Sequence, residues 1–221
     1  MSALPIPSVT PIVFIVDDDV SVRESLELLV RNENWKPETF ASAQEFLDHP
    51  RALLPSCLVL DLSLPGLNGL ELQKQLAAEH IDMPIIFITG YGDVPQSVQA
   101  MKAGALEFLT KPLDNNALVS AIRKALERSR LALAQDAEMR ELKARYASLT
   151  AREHQVMALV VSGLLNKQVG GELGISEITV KAHRRQVMQK MRADSLATLV
   201  KLASKLGVPR QNSPVAPRQQ S

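Results

Sequence analysis

The stretch IVFIVDDD, residues 12–19, places five apolar residues directly before three aspartates. A short, continuous apolar run that ends in polar residues is typical of a strand buried on both faces of a parallel sheet. A second run of this kind, Leu58–Leu60, ends at Asp61. Because ligands of such sheets bind at the carboxyl ends of the strands, these aspartates are the first candidates for a functional site.

The rest of the first half alternates in the same way between strand and helix patterns. Strands are predicted at 12–16, 36–40, 58–60, 85–89 and 106–110, and helices at 21–30, 43–47, 70–78, 94–103 and 115–126. The strand at 36–40 is polar and is expected near a sheet edge, and Asp93 is expected to cap the helix that follows it. This order predicts an α/β, (βα)₅ flavodoxin-like unit with a parallel five-stranded sheet.

Charge is divided unevenly along the 221 residues. Residues 1–127 hold nine Lys and Arg against 17 Asp and Glu, whereas residues 149–208 hold nine against four. Two small domains with different partners are therefore expected, and the basic one is the candidate for nucleic acid binding. A basic domain that is merely solvated is the alternative.

The location of the protein is predicted from what its sequence lacks. The chain has no run of 18 apolar residues, and the first 11 residues have no basic region ahead of an apolar stretch, so neither a membrane helix nor a signal peptide is expected. Cys57 is the only cysteine, which excludes an intrachain disulfide. These features favour a cytoplasmic protein that does not engage a membrane.

The second half is predicted to be all-helical. From 115 to 146 there is no Gly or Pro, so the last helix of the first domain is expected to continue as a long helical linker, 128–147. Leu126, Leu133 and Leu142 suggest either a short coiled coil or an exposed, fraying helix, and both alternatives stay open. Four helices are predicted within 148–208, at 151–162, 166–173, 177–191 and 195–205, and the Pro- and Gln-rich tail 209–221 is expected to be disordered.

The carboxylates and their neighbours predict a phosphoryl-transfer site with Mg²⁺. Asp17, Asp18 and Asp61 offer the hard oxygen ligands that Mg²⁺ prefers, and the backbone carbonyl of Ser63 could add another. Asp61 is the candidate nucleophile, since a carboxylate can form an acyl phosphate. Lys111 and Thr89 also follow or end strands, and their ammonium and hydroxyl groups suit phosphoryl oxygens. Taken singly, each residue could instead be a cap, a turn residue or a surface charge.

Four motifs in order, IVDDD (15–19), VLDLSLPGLNG (59–69), FITGYGDV (87–94) and MKAGALEFLTKP (101–112), resemble a response-regulator receiver domain. The resemblance covers about residues 10–127. It implies that Asp61 is the phosphoacceptor, that Asp17 and Asp18 bind the metal, and that the Lys111–Pro112 bond is cis. It also implies that Thr89 and Phe108 are the switch residues, although Phe108 could simply be a core phenylalanine.

The segment 149–191 resembles a LuxR-type helix-turn-helix, and with the receiver the whole chain resembles the FixJ-like group of the NarL/FixJ regulators. In the recognition helix, Ile178, Val180, Val187 and Met188 are expected to pack on the core, while the basic residues, among them Lys190, are expected to reach DNA. The resemblance places bases opposite Lys181, Ala182 and Arg185. It places phosphates opposite a second set: Asn166, Lys167, Ser176, Thr179 and Arg184.

Two further features concern the structure of this domain. Glu153 is expected to contact the recognition helix rather than DNA. The chain departs from the family at Gly170-Gly171, where position 170 is usually Ala. Close helix packing and a weakly stable domain are the two interpretations of this glycine pair.

The function predicted from these features is that of a two-component response regulator and transcriptional regulator, not an enzyme. Its expected partners are a sensor histidine kinase that phosphorylates Asp61, double-stranded DNA, a second copy of the phosphorylated chain and RNA polymerase. The alternative is a phosphorylation-independent DNA-binding regulator whose receiver is a protein-interaction module. A catalytic second half is a third, weaker hypothesis, because it contains no nucleophile–base pair or phosphate-binding loop.

Overall fold

A computed structural model describes residues 10–90 and 94–208. Within these residues, five strands and nine helices follow one another, and the chain divides into two compact units between Gln135 and Asp136. None of the described helices combines the length and the apolar character that a membrane span requires.

The first unit is a five-stranded parallel sheet with helices between the strands. Its elements are β1 (Ile12–Val16), α1 (Val20–Asn32), β2 (Lys36–Phe40), α2 (Ala43–Asp48), β3 (Ser56–Asp61), α3 (Gly69–Ala78), β4 (Ile85–Thr89), α4 (Val94–Lys102), β5 (Glu107–Thr110) and the first part of α5 (Asn115–Ala147). The strand order is β2-β1-β3-β4-β5, so β2 is an edge strand, as its polar sequence predicts. The chain reverses direction across the sheet between β1 and β3, where such folds place their ligands.

Helices cover both faces of the sheet, which explains why β1, β3 and β4 are buried at every residue. Phe14, Leu60 and Phe87 point to the face that packs against α2 and α3. Their sequence neighbours point to the other face, against α1 and α5. Cys57 belongs to this second core; it is fully buried, and burial raises the pKa of its thiol.

Side chains in the loops determine where the helices begin. The Asp19 carboxylate accepts a hydrogen bond from the Ser21 N–H at 2.8 Å and caps α1. Before α3, Asn68 and Glu71 form a reciprocal capping box. The cap predicted for α4, Asp93, lies outside the described residues. Because Asp19 alone caps α1, Asp17 and Asp18 are left for another role.

The second unit comprises the end of α5, α6 (Ala151–Val161), α7 (Asn166–Leu173), α8 (Glu177–Met191) and α9 (Leu196–Lys205). These helices enclose a core that includes Leu142, Val156, Val187 and Leu199. Gly174 adopts a left-handed φ of 66° in the turn between α7 and α8, and the Ser176 hydroxyl then accepts a hydrogen bond from the Thr179 N–H to cap α8. This is the predicted helix-turn-helix.

Two of the three leucines of α5 that suggested a coiled coil belong to the cores of the two units. Leu126 is buried in the core of the first unit, and Leu142 is buried in the core of the second. Ser129 is also buried, and its hydroxyl accepts a hydrogen bond from the Ser56 N–H at 3.1 Å at the start of β3. Leu133 lies outside both cores. The short coiled coil and the exposed helix therefore both stay predictions for this linker.

The two glycines of α7 have different surroundings. A Cβ atom on Gly170 would lie 2.8 Å from the backbone carbonyl oxygen of Ile175, closer than two such atoms can approach. A Cβ atom on Gly171 would meet nothing within 4 Å. Close packing of the turn against the helix therefore explains Gly170, and nothing in the structure explains Gly171.

We predict that Gly171→Ala stabilises the second unit by about 0.5–1 kcal/mol, because alanine loses less conformational entropy in a helix. Gly170→Ala is the matched control and should give no gain or a loss, since its methyl group must displace the Ile175 carbonyl. Calorimetric unfolding of the full chain measures both. An equal gain for the two variants would contradict this explanation of the glycine pair.

Candidate functional site

Three carboxylates converge at the point where the sheet reverses direction. Asp17 follows β1 and Asp61 ends β3, and these two strands are neighbours in the sheet. Asp17, Asp18 and Asp61 each offer a carboxylate oxygen, and the three oxygens lie within 4.8 Å of one another. Asp17 and Asp61 are buried whereas Asp18 is exposed, so the cluster opens to solvent on one side.

The Lys111 ammonium connects the ends of three strands. It donates a hydrogen bond to Asp17 Oδ2 at 2.8 Å and another to Asp61 Oδ2 at 2.6 Å. Its backbone N–H donates to the carbonyl oxygen of Thr89 at 2.7 Å, which ties the residue to the end of β4. The Lys111–Pro112 bond is cis, as the receiver resemblance implies.

The backbone around Asp61 holds its carboxylate in place. The Ser63 N–H donates a hydrogen bond to Asp61 Oδ1 at 2.9 Å. The other carboxylate oxygen, Oδ2, accepts the hydrogen bond from Lys111. Gly69, at the start of α3, lies close to the same residue, and a Cβ atom on it would lie 2.6 Å from the Asp61 carbonyl oxygen. The start of α3 can therefore approach the end of β3 only because residue 69 is glycine.

The charges of the cluster depend on one another. Burial raises the pKa of the Asp17 carboxyl above its ordinary value, and the hydrogen bonds from Lys111 and the Asp19 N–H offset this only in part. Burial also disfavours the charged form of Lys111, but the two carboxylates together outweigh burial and raise the pKa of its ammonium. The cluster thus holds two buried carboxylates around one cation, with an exposed carboxylate beside them.

The two predicted switch residues lie on neighbouring strands. Thr89 is fully buried at the end of β4, one residue beyond Ile88, which pairs with Asp61 in the sheet. Phe108 of β5 is partly buried, and the centroid of its ring lies 6.5 Å from that of Phe87. Phe108 therefore contacts the core and also faces solvent.

Sequence reasoning missed two contributors to this site. Arg23 of α1 donates to the backbone carbonyl oxygen of Asp17 at 2.6 Å, and Gly69 allows the close approach described above. The position of Arg23, six residues after Asp17 and one turn into a helix, was a usable signal. The role of Gly69 depends on a contact between distant backbone atoms, which the sequence does not display.

The recognition helix α8 has a buried side and an exposed side. Val180, Val187 and Met191 are buried in the core, and Met188 packs against it. Ile178, which is predicted to join them, is instead 80% exposed, so that prediction is wrong. Two residues along a helix correspond to about 200° of rotation, which places Ile178 opposite Val180.

The eight predicted DNA-contact residues lie on α7, α8 and the turn between them, and all of them are exposed or partly exposed. Some already have partners within the second unit. Arg184 donates to the Asn166 side chain at 3.0 Å, linking α8 to the start of α7, and Lys181 pairs with Glu177 at 3.0 Å. Lys167, Ala182 and Arg185 are exposed.

Lys190 has a structural partner. Its ammonium lies 2.7 Å from a carboxylate oxygen of Glu153, which is 6% exposed and also forms the capping box of α6 with Thr150. The predicted contact between Glu153 and the recognition helix is confirmed. Lys190, which was expected to reach DNA with the other basic residues, stabilises the packing of α6 against α8 instead.

A (βα)₅ unit with this carboxylate–lysine cluster, followed by a helix-turn-helix, defines a DNA-binding response regulator. The family model described as response regulator receiver domain matches residues 13–123, and the model described as bacterial regulatory proteins, luxR family, matches residues 147–203.

The similarity to two bacterial regulatory proteins covers both units. Nodulation protein W of Bradyrhizobium diazoefficiens is 48% identical over 201 residues, covering 91% of this chain and 88% of that protein. Transcriptional regulatory protein FixJ of Azorhizobium caulinodans is 44% identical over 196 residues, covering 89% of this chain and 93% of that protein.

Two solved structures of response regulators are also similar to this chain over both units. The response regulator StyR matches with a TM-score of 0.83 and 49% identity, covering 89% of this chain and 100% of that one. Full-length FixJ from B. japonicum matches with a TM-score of 0.54 and 40% identity, covering 89% and 97%. The chain therefore belongs to the FixJ-like group of the NarL/FixJ response regulators, and it is a two-component response regulator that binds DNA and regulates transcription.

The Glu153–Lys190 contact predicts a pH dependence. The hydrogen bond from Lys190 lowers the pKa of Glu153 below its ordinary value of 4.5. A lowered pKa in the folded state means that the contact stabilises the second unit above the unfolded-state pKa, and that this stabilisation is lost as the pH falls through the folded-state pKa.

Glu153→Gln should therefore lower the stability of the second unit at pH 7 by about 1.5–3 kcal/mol, the usual range for a hydrogen bond to a charged group. The difference from the wild type should shrink as the pH is lowered below about 4.5. Native-state hydrogen exchange in α6 and α8 measures it, with the exposed Glu172→Gln as control. A difference that is independent of pH would contradict the charged contact.

Proposed function

We propose that Asp61 accepts a phosphoryl group from a partner histidine kinase and that this phosphorylation controls DNA binding. The observation that supports this most directly is the contact of Lys111 with Asp61 Oδ2 at 2.6 Å, next to a cluster of carboxylates that is open to solvent. A carboxylate oxygen beside a cation and at an open edge is placed to attack a phosphorus atom.

Asp17, Asp18 and Asp61 fit a divalent cation such as Mg²⁺, because their carboxylate oxygens lie close together and one of the three side chains is exposed. The backbone carbonyl of Ser63 is a further proposed ligand. When bound, Mg²⁺ offsets the repulsion between the carboxylates and the incoming phosphoryl oxygens.

Lys111 and Thr89 would each bind a phosphoryl oxygen once Asp61 is modified. The ammonium already lies at Asp61 Oδ2, and the added phosphoryl group gives it a stronger acceptor than the carboxylate. Thr89 and Phe108 are the proposed switch residues, since they lie on the two strands beyond β3 on the same side of the sheet. Their rearrangement would change the surface that α4 and β5 present to a second copy of the chain.

Phosphorylated chains are proposed to dimerise and to bind paired DNA half-sites. In this proposal Lys181, Ala182 and Arg185 face bases, and the second set faces phosphates: Asn166, Lys167, Ser176, Thr179 and Arg184. Since the DNA lies in the bacterial cytoplasm, that is the proposed site of action, with RNA polymerase as a further partner. No contact among residues 10–90 and 94–208 specifically favours the rival function, a regulator that does not depend on phosphorylation.

The first test is phosphorylation by a small acyl phosphate donor in the presence of Mg²⁺. The wild type should gain an acid-stable, base-labile phosphate, whereas Asp61→Asn should gain none, because the amide is not a nucleophile. Asp82→Asn, an exposed residue in the loop before β4, is the matched control and should behave as the wild type.

Equal labelling of wild type and Asp61→Asn would refute the proposed phosphoacceptor. The same preparations then test regulation, by measuring affinity for a duplex that the protein selects from a random-sequence library. Equal affinity with and without the phosphodonor would favour the phosphorylation-independent alternative.

The second test concerns the DNA face. Arg185→Ala should weaken binding to the selected duplex by about 1–3 kcal/mol and relax the sequence preference at one base pair in each half-site, as expected for an arginine that bonds a guanine. Lys201→Ala removes an equal charge from an exposed position on α9 and is the control. If the two variants lose affinity equally and neither changes the sequence preference, Arg185 does not read a base.

A further inference from the structure

Among the described residues of the second unit, the most exposed large apolar side chain is that of Ile178, on the first turn of the recognition helix. Ile178 is 80% exposed, while Val180 two residues later is fully buried. A single exposed apolar residue needs no explanation by itself. The position of Ile178 relative to the other exposed residues of α8 is what gives it significance.

Ile178 is aligned with the residues that are proposed to face bases. Residues three, four and seven positions apart lie on one side of a helix, and from Ile178 these are Lys181, Ala182 and Arg185. All four residues are exposed, and the buried residues of α8 lie on the opposite side. Ile178 therefore extends that row by one turn toward the start of the helix, the part that contacts base edges in helix-turn-helix proteins.

The polar side chains next to Ile178 contact one another along the helix. The Ser176 hydroxyl caps the helix and shares a hydrogen bond with the Thr179 hydroxyl at 2.8 Å. The Glu177 carboxylate pairs with Lys181 at 3.0 Å. Ile178 is the exposed apolar side chain of this turn, and the methyl group of Ala182 continues the apolar surface one turn later.

The major groove presents one apolar group, the C5 methyl of thymine. We propose that Ile178 packs against a thymine methyl and thereby selects thymine at one position of each DNA half-site. This inference rests on the DNA face described under the proposed function, and it adds a specificity determinant that carries no charge. The contact removes the isoleucine and the methyl group from water without using a hydrogen bond.

The test removes the methyl group and the side chain separately. The probe is the duplex that the full-length protein, with phosphodonor and Mg²⁺, selects from a random-sequence library. Each thymine is then replaced in turn by deoxyuridine, which lacks only the C5 methyl. At one thymine of each half-site, the wild type should lose about threefold to fivefold in affinity, the worth of one buried methyl.

Ile178→Ala should bind the thymine duplex more weakly and should no longer distinguish thymine from deoxyuridine at that position, while it keeps the wild-type response at other thymines. Ile178→Val should give an intermediate ratio. Leu196→Ala, which truncates an exposed aliphatic residue at the start of α9, is the matched control and should leave every ratio unchanged. Thermal unfolding of the two Ile178 variants should match the wild type, since Ile178 has little buried surface to lose.

The outcomes separate this inference from the function on which it rests. Suppose that Arg185→Ala alters the base preference but Ile178→Ala keeps the wild-type ratios of affinity for thymine and deoxyuridine duplexes. The inference about Ile178 is then wrong, and the proposed DNA face is still supported. If Ile178→Ala weakens binding equally on every duplex, the side chain contacts a protein surface instead, and the inference is again wrong. A selected duplex with no methyl-sensitive thymine also overturns it. If neither Arg185→Ala nor Ile178→Ala affects binding, the proposed DNA face itself fails.

Discussion

The position of one ammonium group, that of Lys111, organises the first unit. It lies within hydrogen-bonding distance of two buried carboxylates, at 2.8 Å and 2.6 Å, that follow or end different strands. A buried carboxylate without a partner is costly, so the charge of Lys111 compensates for bringing Asp17 and Asp61 together. The sheet brings the three groups together because β1 and β3 are neighbours and all of the strands are parallel, so that their carboxyl ends lie at one edge. The order of the strands therefore determines which charged groups meet at the site.

The second unit divides its cationic groups between structure and DNA binding. Lys190 is bound to Glu153 and Arg184 to Asn166, so these two side chains hold α8 against α6 and α7. Arg185 lies on the exposed side of the helix. Lys190 is therefore the one cationic residue of α8 that we assign to the packing of the described helices and not to the DNA face.

Most of the fold was predictable because the apolar runs of β1, β3 and β4 are buried on both faces and carry an unmistakable pattern. The carboxylate cluster was predictable for the same reason: residues at the ends of parallel strands meet at one edge. The location of Ile178 was not, because an apolar residue at the start of a helix looks like a core residue until the rotational register of the helix is known. The reason for Gly170 was also hidden, since it depends on a backbone approach of 2.8 Å across the turn.

Cys57 gives the molecule an unexpected experimental advantage. Its thiol is fully buried within β3, and burial raises its pKa, so the reactive thiolate is scarce at neutral pH. Alkylating reagents, oxidants and maleimide dyes should therefore leave the native chain unmodified. A cysteine introduced on the surface would be the single labelling position, and fluorescent or spin probes can follow the two units without first removing the native residue.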